Sequence, residues 1–421
     1  MQRLALLLLS LSLSALVSAP VCAENTELTA LLKRKPNKIE DALPGNMKDR
    51  VYQRLAKAQK LMADAKYKDS LDLLDSLEEI TKNNAYALAQ VHQTRGYVFA
   101  QQEQFDKARQ YFQKTLDLKA LPLSAQLSTL YSLAQVTVAK EDYLGAVPLL
   151  QDYLHNRKDP KPDANFFYGQ ILAQLDAKKE SVVEVEKAIS LSSAPKESWY
   201  RLLAALHYEL KNYDKASAAL RAVIKINPEK KMYWKQLSSI YISSDKDREA
   251  LATLELAEKK GFLTEEKDII QLAQLSIYQG VPYKAGVYLE KGFENNIVAK
   301  TDKNFELLAD AWIRAQELDK ALIALDKAAP LAKNGKIYVR QGQLYLEKEQ
   351  WSKSELAIRR GIKKGQLKKP GLAYIALGIA QYKMGKKQLA KGSFESAGKY
   401  SDQKKQAAEW LSHIGSEIAS R

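Results

Sequence analysis

Residues 212–228 read NYDKASAALRAVIKINP. Tyr213 is followed three residues later by Ala216, then by Leu220 and Val223 on the same helical face, and Pro228 closes the segment. Apolar positions three and four apart put one stripe on one side of a helix, and Pro stops it. A helix of this length cannot bury its stripe alone, so the question is whether the chain supplies more of them.

It supplies nine. The cassette recurs as YKDSLDLLDSL from Tyr67, FDKARQYFQKTL from Phe105, YLGAVPLLQDYL from Tyr143, KESVVEVEKAI from Lys179 and DREALATLELA from Asp247. It continues as YKAGVYLEKGF from Tyr283, LDKALIALDKAA from Leu318, WSKSELAIRRGI from Trp351 and KQLAKGSFESA from Lys387. The aligned small residues are Ser70, Ala108, Ala146, Ser181, Ala216, Ala250, Ala285, Ala321, Ser354 and Ala390, separated by 38, 38, 35, 35, 34, 35, 36, 33 and 36 residues. A fixed period of this size marks stacked supersecondary units.

A partner helix precedes each cassette. Tyr200, Leu203, Ala204 and His207 carry its face in one copy; Trp234, Leu237, Ser238 and Tyr241 in the next; Phe305, Leu308, Ala309 and Trp312, then Tyr374, Leu377 and Gly378, in later ones. The small residue lets two backbones approach, and the large ones fill the groove beside it. The pattern resembles the tetratricopeptide repeat (TPR) family over roughly residues 50–402. The copy at 197–230 matches with Tyr200, Leu203, Ala204, Ala216, Leu220 and Pro228, departing at His207 where the family has an aromatic. The resemblance implies an all-α fold: an α-solenoid of about ten TPR-like helix pairs in a right-handed superhelix. The first pair is degenerate around Leu55 and Ala56, copies ending near Ile297 and Gln366 lack the terminal Pro, and the 38-residue spacings imply longer loops near 119–124 and 156–163.

Outside the array, Arg3 precedes an apolar run from Leu4 to Val17, and Val21-Cys22-Ala23 offers a small-residue end. Residues 1–23 read as a signal peptide cut after Ala23, with an uncleaved anchor or lipidation of Cys22 as the alternatives. Residues 24–49 read as a flexible polar leader, with Lys33-Arg34-Lys35-Pro36 and a Leu43-Pro44-Gly45 break; docking on a partner or a membrane surface is the other reading. Residues 403–421, with Ala407, Trp410, Leu411, Ile414 and Ile418, read as a C-terminal capping helix that covers the terminal apolar face, or as a partner-binding helix.

Composition excludes several classes. The chain has 421 residues, one Cys, 18 Gly, 12 Pro and a net charge of +15, with mean hydropathy −0.38. Removing the signal peptide removes the sole Cys, so neither disulfides nor thiol catalysis is expected. His92, His155, His207 and His413 are too dispersed for a metal motif, and His207 reads as a packed core residue. GIKKGQLK at 361–368 lacks the strand–loop–helix context of a phosphate loop. Glu78–Glu79 and Glu265–Glu266 read as helix-surface or helix-start charges. No catalytic residue, metal or cofactor is expected. Lys pairs such as Lys178–Lys179, Lys259–Lys260 and Lys386–Lys387 look dispersed at turns, against a nucleic-acid partner.

The expected function is a non-catalytic periplasmic scaffold with no membrane span after signal cleavage, binding an envelope protein or peptide segment. The architecture is similar to exported TPR proteins that accompany TonB-type complexes, which implies energy transduction and transport as a setting. The alternative is binding of anionic envelope polymer, peptidoglycan or exported polysaccharide, through a basic surface. The inner face of a stacked array is lined by the first helix of each pair. That assigns partner binding to Gln93, Tyr97, Tyr131, Gln135, Phe166, Gln170, Arg201 and Lys235, with Ser239, Glu306 and Asp310 continuing the row. Tyr, Gln and Arg suit an extended peptide, by stacking and by bonds to its backbone.

Overall fold

The computed structural model describes residues 21–43, 45–159 and 161–419. Among them are 22 α-helices and no strand. The expected signal peptide lies outside the described residues except for Val21–Ala23, which begin the first helix, and Pro44 of the leader break also lies outside them. The chain divides into two compact units, residues 1–228 and 229–421.

In the first unit, α1 (Val21–Lys33) precedes five helix pairs. These are α2 (Asp49–Ala63) with α3 (Tyr67–Thr81), α4 (Ala85–Gln101) with α5 (Phe105–Asp117), and α6 (Leu123–Ala139) with α7 (Tyr143–His155). The last two are α8 (Pro162–Gln174) with α9 (Lys178–Leu191) and α10 (Glu197–Glu209) with α11 (Tyr213–Ile226). The second unit holds five more: α12 (Lys231–Ser243) with α13 (Asp247–Lys259), α14 (Glu266–Tyr278) with α15 (Pro282–Glu294), and α16 (Asp302–Arg314) with α17 (Leu318–Leu331). Then come α18 (Lys336–Glu347) with α19 (Trp351–Lys364), α20 (Pro370–Lys383) with α21 (Lys387–Gly398), and α22 (Lys404–Ala419). Within each unit every helix of the pairs packs mainly on its neighbours in sequence, so each unit is a solenoid of helix pairs.

The ten aligned small residues of the second helices, from Ser70 to Ala390, are all fully buried at 0% exposure. Twelve residues before each lies a small residue of the first helix: Ala58, Gly96, Ala134, Gly169, Ala204, Ser238, Ala273, Ala309, Gly342 and Gly378. Where Ser replaces Ala at the crossing, its hydroxyl is satisfied by the facing backbone. Ser70, Ser181 and Ser354 donate to the carbonyls of Ala58, Gly169 and Gly342 at 2.8, 2.7 and 2.8 Å, which removes the cost of a buried unpaired hydroxyl.

A size rule runs through these crossings. Four residues after the second-helix small residue stands the side chain that faces the first-helix one. Opposite Ala58, Ala134, Ala204, Ala273 and Ala309 it is Leu74, Leu150, Leu220, Leu289 and Leu325, and opposite Ser238 it is Leu254. Opposite Gly96, Gly169, Gly342 and Gly378 it is Phe112, Val185, Ile358 and Phe394. A methyl group added at those glycines would meet the facing side chain at 2.6, 2.7, 2.3 and 2.6 Å. Close-packed interiors leave no slack for it.

Each pair turns through one residue of positive φ, five residues before the buried small residue: Ala65, Glu103, Glu141, Asp176, Lys211, Asp245, Gly280, Gln316, Glu349 and Gly385. The following amide reaches back across the helix end, as from Gln104 to the Phe99 carbonyl at 2.9 Å and from Lys386 to the Gln381 carbonyl at 2.9 Å. This is the left-handed helix stop that frees a sharp turn.

The 38-residue spacings are not made by longer loops. Helices α4 and α6 are 17 residues long, against 13 in α8, α10, α12, α14 and α16. Four extra residues make about one helical turn, added at the N-terminal end of α4 and α6. Those ends receive the leader. Rather than lying free, described residues between 28 and 46 make contacts across the first unit. Leu28 is buried among Ala134, Val147, Leu150 and Leu172, with Leu31 and Leu32 beside it. Arg34 pairs with Asp152 and donates to the Pro148 carbonyl at 2.9 Å. Asn156 accepts from the Ile39 amide at 2.8 Å and donates to the Asn37 carbonyl at 2.7 Å. Helix α6 starts after Pro122 with no side-chain cap of its own; Asp41 accepts from the Leu123 amide at 2.7 Å and supplies one from the leader. Asn84 at the start of α4 donates to the Asn46 carbonyl at 2.8 Å.

At the other end, α22 lies on α21. Ala407 and Ile414 are fully buried, and Trp410 stacks on Phe394 at 5.2 Å, nearly parallel.

Candidate functional site

The residues assigned to partner binding all sit on first helices: Gln93 and Tyr97 on α4, Tyr131 and Gln135 on α6, Phe166 and Gln170 on α8, Arg201 on α10 and, in the second unit, Lys235 on α12. Their surroundings divide them into two kinds. Some tie one repeat to the next. Gln93 donates to Thr129 Oγ1 at 2.7 Å and to the Ala125 carbonyl at 3.3 Å. Tyr97 sits edge-on to Phe112 at 5.1 Å and accepts from Ser132 at 3.4 Å; burial raises its pKa. Tyr131 packs on Tyr153 at 4.8 Å and edge-on to Phe167 at 5.9 Å, and burial lifts its pKa far above the ordinary tyrosine value. Phe166 stacks on Trp199 of α10 at 5.5 Å.

Lys235 is bound too. Its ammonium lies 2.8 Å from Glu265 and 3.0 Å from Asp268. Burial lowers its pKa, but the two carboxylates outweigh that and the net shift is upward. In return, hydrogen bonds from Lys235 and Lys267 hold Glu265 down to about 2. The continuation of the row behaves alike: Ser239 donates to the Lys235 carbonyl at 3.0 Å, Glu306 lies 2.7 Å from Lys336, and Asp310 pairs with Arg340.

Gln135, Gln170 and Arg201 are the second kind. Gln170 and Arg201 are exposed and Gln135 is half-buried, and none makes a hydrogen bond or ion pair among the described residues. All three belong to the first unit, on α6, α8 and α10. They leave two primary amides and a guanidinium with unspent donors, and the amides with unspent acceptors. Gln135 and Gln170 share one register of consecutive repeats, and Arg201 stands in the next repeat at the register one helical turn earlier.

The first unit also holds a buried polar cluster that repeat logic did not reveal. Arg95 on α4, 6% exposed, lies 2.7 Å from Glu78, pairs with Asp75, donates to Tyr111 Oη at 2.9 Å and sits 5.0 Å above that ring. His92 Nε2 is 3.1 Å from Glu78, and its pKa is lowered, chiefly by burial. Glu78, expected as a surface charge, is thus half-buried and shared between a cation and an imidazole. His207 is buried at 2% exposure, as the repeat position implied. A cleft of about 420 Å³ lies beside the leader helix, lined by Thr29, Leu32, Lys33, Tyr168 and Glu184 among others.

Among the described residues, no group of three or more His, Cys, Asp and Glu is gathered for a metal, and no helix is long and apolar enough to cross a membrane.

A tetratricopeptide repeat family model matches residues 89–120 and 197–230. These are the bulk of the α4–α5 pair and the whole α10–α11 pair. No curated protein matches the sequence. Solved structures that match include a tetratricopeptide repeat protein from Parabacteroides merdae, 13% identical with a TM-score of 0.39, covering 71% of this chain and 100% of that one. The C-terminal part of a TPR repeat-containing protein from Cytophaga hutchinsonii matches at 17% identity and a TM-score of 0.40, covering 67% and 97%. YrrB, described as a TPR protein with an unusual peptide-binding site, matches at 18% identity and a TM-score of 0.37, covering 44% and 91%. The two segments that match the tetratricopeptide repeat model fall in a register that ten helix pairs of the chain share.

Proposed function

We propose that the chain is a non-catalytic periplasmic scaffold whose first unit holds an extended segment of a partner protein, within an envelope complex of the TonB-linked kind. Repeats of this family serve as protein-interaction scaffolds, and the finer reading rests on one observation: Gln135, Gln170 and Arg201 keep their polar groups unspent while Gln93, Tyr97, Tyr131 and Phe166 are consumed in holding the repeats together. An amide pairs with a peptide backbone in both directions, and a guanidinium adds a carboxylate or carbonyl contact. A rigid array offers these groups already placed, which reduces the ordering cost of binding. Support for the compartment is the Arg3, Leu4–Val17 and Ala23 pattern. The TonB setting rests on architecture alone.

The test is site-specific photocrosslinking in cells from Gln135, Gln170 and Arg201, with Lys57 as a control position. Protein adducts at the three positions and not at Lys57 are the expected result, and Arg201→Ala should weaken the captured interaction roughly tenfold. Glycan adducts alone, lost as salt is raised, would replace this reading with binding of peptidoglycan or exported polysaccharide.

A further inference from the structure

The charge of the chain is not spread as its Lys pairs suggest. Residues 351–400 hold twelve of the 65 basic residues and two of the 50 acidic ones, so ten of the fifteen net positive charges sit there. Both acids are engaged: Glu355 binds Gln381, Lys386 and Arg359, and Glu395 faces Lys391 at 3.9 Å. Lys383 lies over Trp351 and Lys353 over Tyr345. What remains is concentrated at one edge of the second unit, where second helices end and first helices begin.

Three successive connections meet along that edge. The Gly335 amide donates to the Gly365 carbonyl at 3.0 Å, and Lys364 donates to the Ala329 carbonyl at 2.8 Å. A methyl group at Gly371 would touch Gln403 and Tyr400, at 2.7 and 3.0 Å. The connections carry Lys333, Lys368, Lys369 and Lys399, and the helix turns flanking them carry Lys363, Lys404 and Lys405, all exposed. None of these seven forms an ion pair among the described residues. Elsewhere in the unit several Lys near helix ends have carboxylate partners, Lys260 with Glu229, Lys267 with Glu265, Lys291 with Glu258 and Lys336 with Glu306. Lys259, Lys300 and Lys303 form no ion pair among the described residues, but only at this edge do seven such Lys gather on neighbouring connections. Leu331 and Leu372 stand exposed at the same edge, at 51% and 37%.

We propose that this edge docks on the surface of a bilayer containing anionic lipid. The residue chemistry selects this occupant. All seven unpaired cations are Lys, mobile point charges suited to a diffuse negative surface, with no Arg fork and no cleft to define a single anion. They lie on adjacent connections and the helix turns that flank them, all exposed, and two exposed leucines supply apolar contact that a soluble polyanion does not reward. The edge belongs to the second unit, and the row on α6, α8 and α10 to the first.

The test is co-sedimentation of the purified full chain with vesicles of phosphatidylcholine alone or with one-third phosphatidylglycerol. Residues 4–17 are apolar, so the readout is the difference between the two compositions. Wild type should favour the anionic vesicles, with the preference falling steeply as salt rises. K368Q/K369Q/K404Q/K405Q should reduce the preference on the order of a hundredfold or more, while K57Q/K60Q on α2, with thermal stability matched for both, should leave it unchanged. An equal loss in both variants, no loss in the quadruple variant, or no preference in wild type would overturn the proposal. So would strong binding to a soluble anionic polysaccharide without binding to vesicles.

Discussion

Gly96→Ala would place a methyl group 2.6 Å from two ring atoms of Phe112. The ring has nowhere to go, since Phe112 is fully buried and Tyr97 lies edge-on to it at 5.1 Å. Overpacking of this kind costs roughly 1–3 kcal/mol, while replacing a mid-helix Gly with Ala returns about 1 kcal/mol of helix propensity. The single variant should therefore lose about 0–2 kcal/mol. Phe112→Leu alone leaves a void against Gly96 and should lose roughly 1–2 kcal/mol. Together, however, the two changes rebuild the Ala–Leu crossing that five other pairs use, such as Ala58 with Leu74 and Ala309 with Leu325. G96A/F112L should then be more stable than the sum of the singles by about 1–2 kcal/mol. Urea unfolding of the four proteins gives the cycle. Amide exchange over residues 85–117 supplies a local readout, because a repeat array need not unfold as one unit. Additivity within about 0.5 kcal/mol would refute the idea that these two positions are matched in size.

Glu103→Gly and Lys211→Gly should each raise stability by about 0.5–1 kcal/mol in thermal melts, because each relieves a side chain held at positive φ. Arg95→Met should lose roughly 1–3 kcal/mol by urea unfolding, since it leaves half-buried Glu78 without its guanidinium partner. Asp41→Ala should lose about 1 kcal/mol and show first as faster amide exchange at Leu123–Gln126, where the leader caps α6. Burial raises the pKa of Glu355, but hydrogen bonds from Gln381, Lys386 and Arg359 bring it down to about 2. A carboxylate depressed on folding stabilises above its unfolded pKa of about 4.5 and stops doing so as pH falls through the folded value. Wild type should thus lose on the order of 3 kcal/mol between about pH 4.5 and 2 that Glu355→Gln does not lose over the same range.

The helix pairs were legible because their signal is periodic and steric. A small residue at the crossing recurs with the period of the fold, and all ten proved fully buried. Glycine at Gly96, Gly169, Gly342 and Gly378 carried a second message, since a larger or β-branched partner stands sixteen residues later, but it is visible only once the crossing is known. The two 38-residue spacings are equally visible in the sequence, where they read as longer loops. Length alone cannot tell a longer connection from an extra helical turn; here the turn is what gives α4 and α6 ends for the leader to reach. The leader itself reads as flexible because its contacts are polar and distant: Arg34 to Asp152 and Asp41 to Leu123 span more than eighty residues with no period.

The candidate site was legible only as a row. Register fixes which positions of a first helix point away from its own partner helix, and Gln93, Tyr131, Gln135 and Arg201 all satisfy it. Register does not say whether the next repeat brings a group within reach. Gln93 finds Thr129 on the following first helix, Tyr131 finds Phe167, and Lys235 finds Glu265 and Asp268. Gln170 finds nothing, since the residue one period onward in the same unit is Ala205, which has no polar group to offer. Whether a polar side chain serves the stack or remains for a partner is therefore decided by the pair of residues one period apart. That makes Ala205→Glu an informative change, because it would offer Gln170 a carboxylate one period onward. If the first unit's row works as proposed, crosslinking from Gln135 should persist in that variant, while Gln170→Ala should weaken capture less than it does in the wild-type background. An unchanged effect of Gln170→Ala would mean that positions 170 and 205 never meet, and that availability there has another cause.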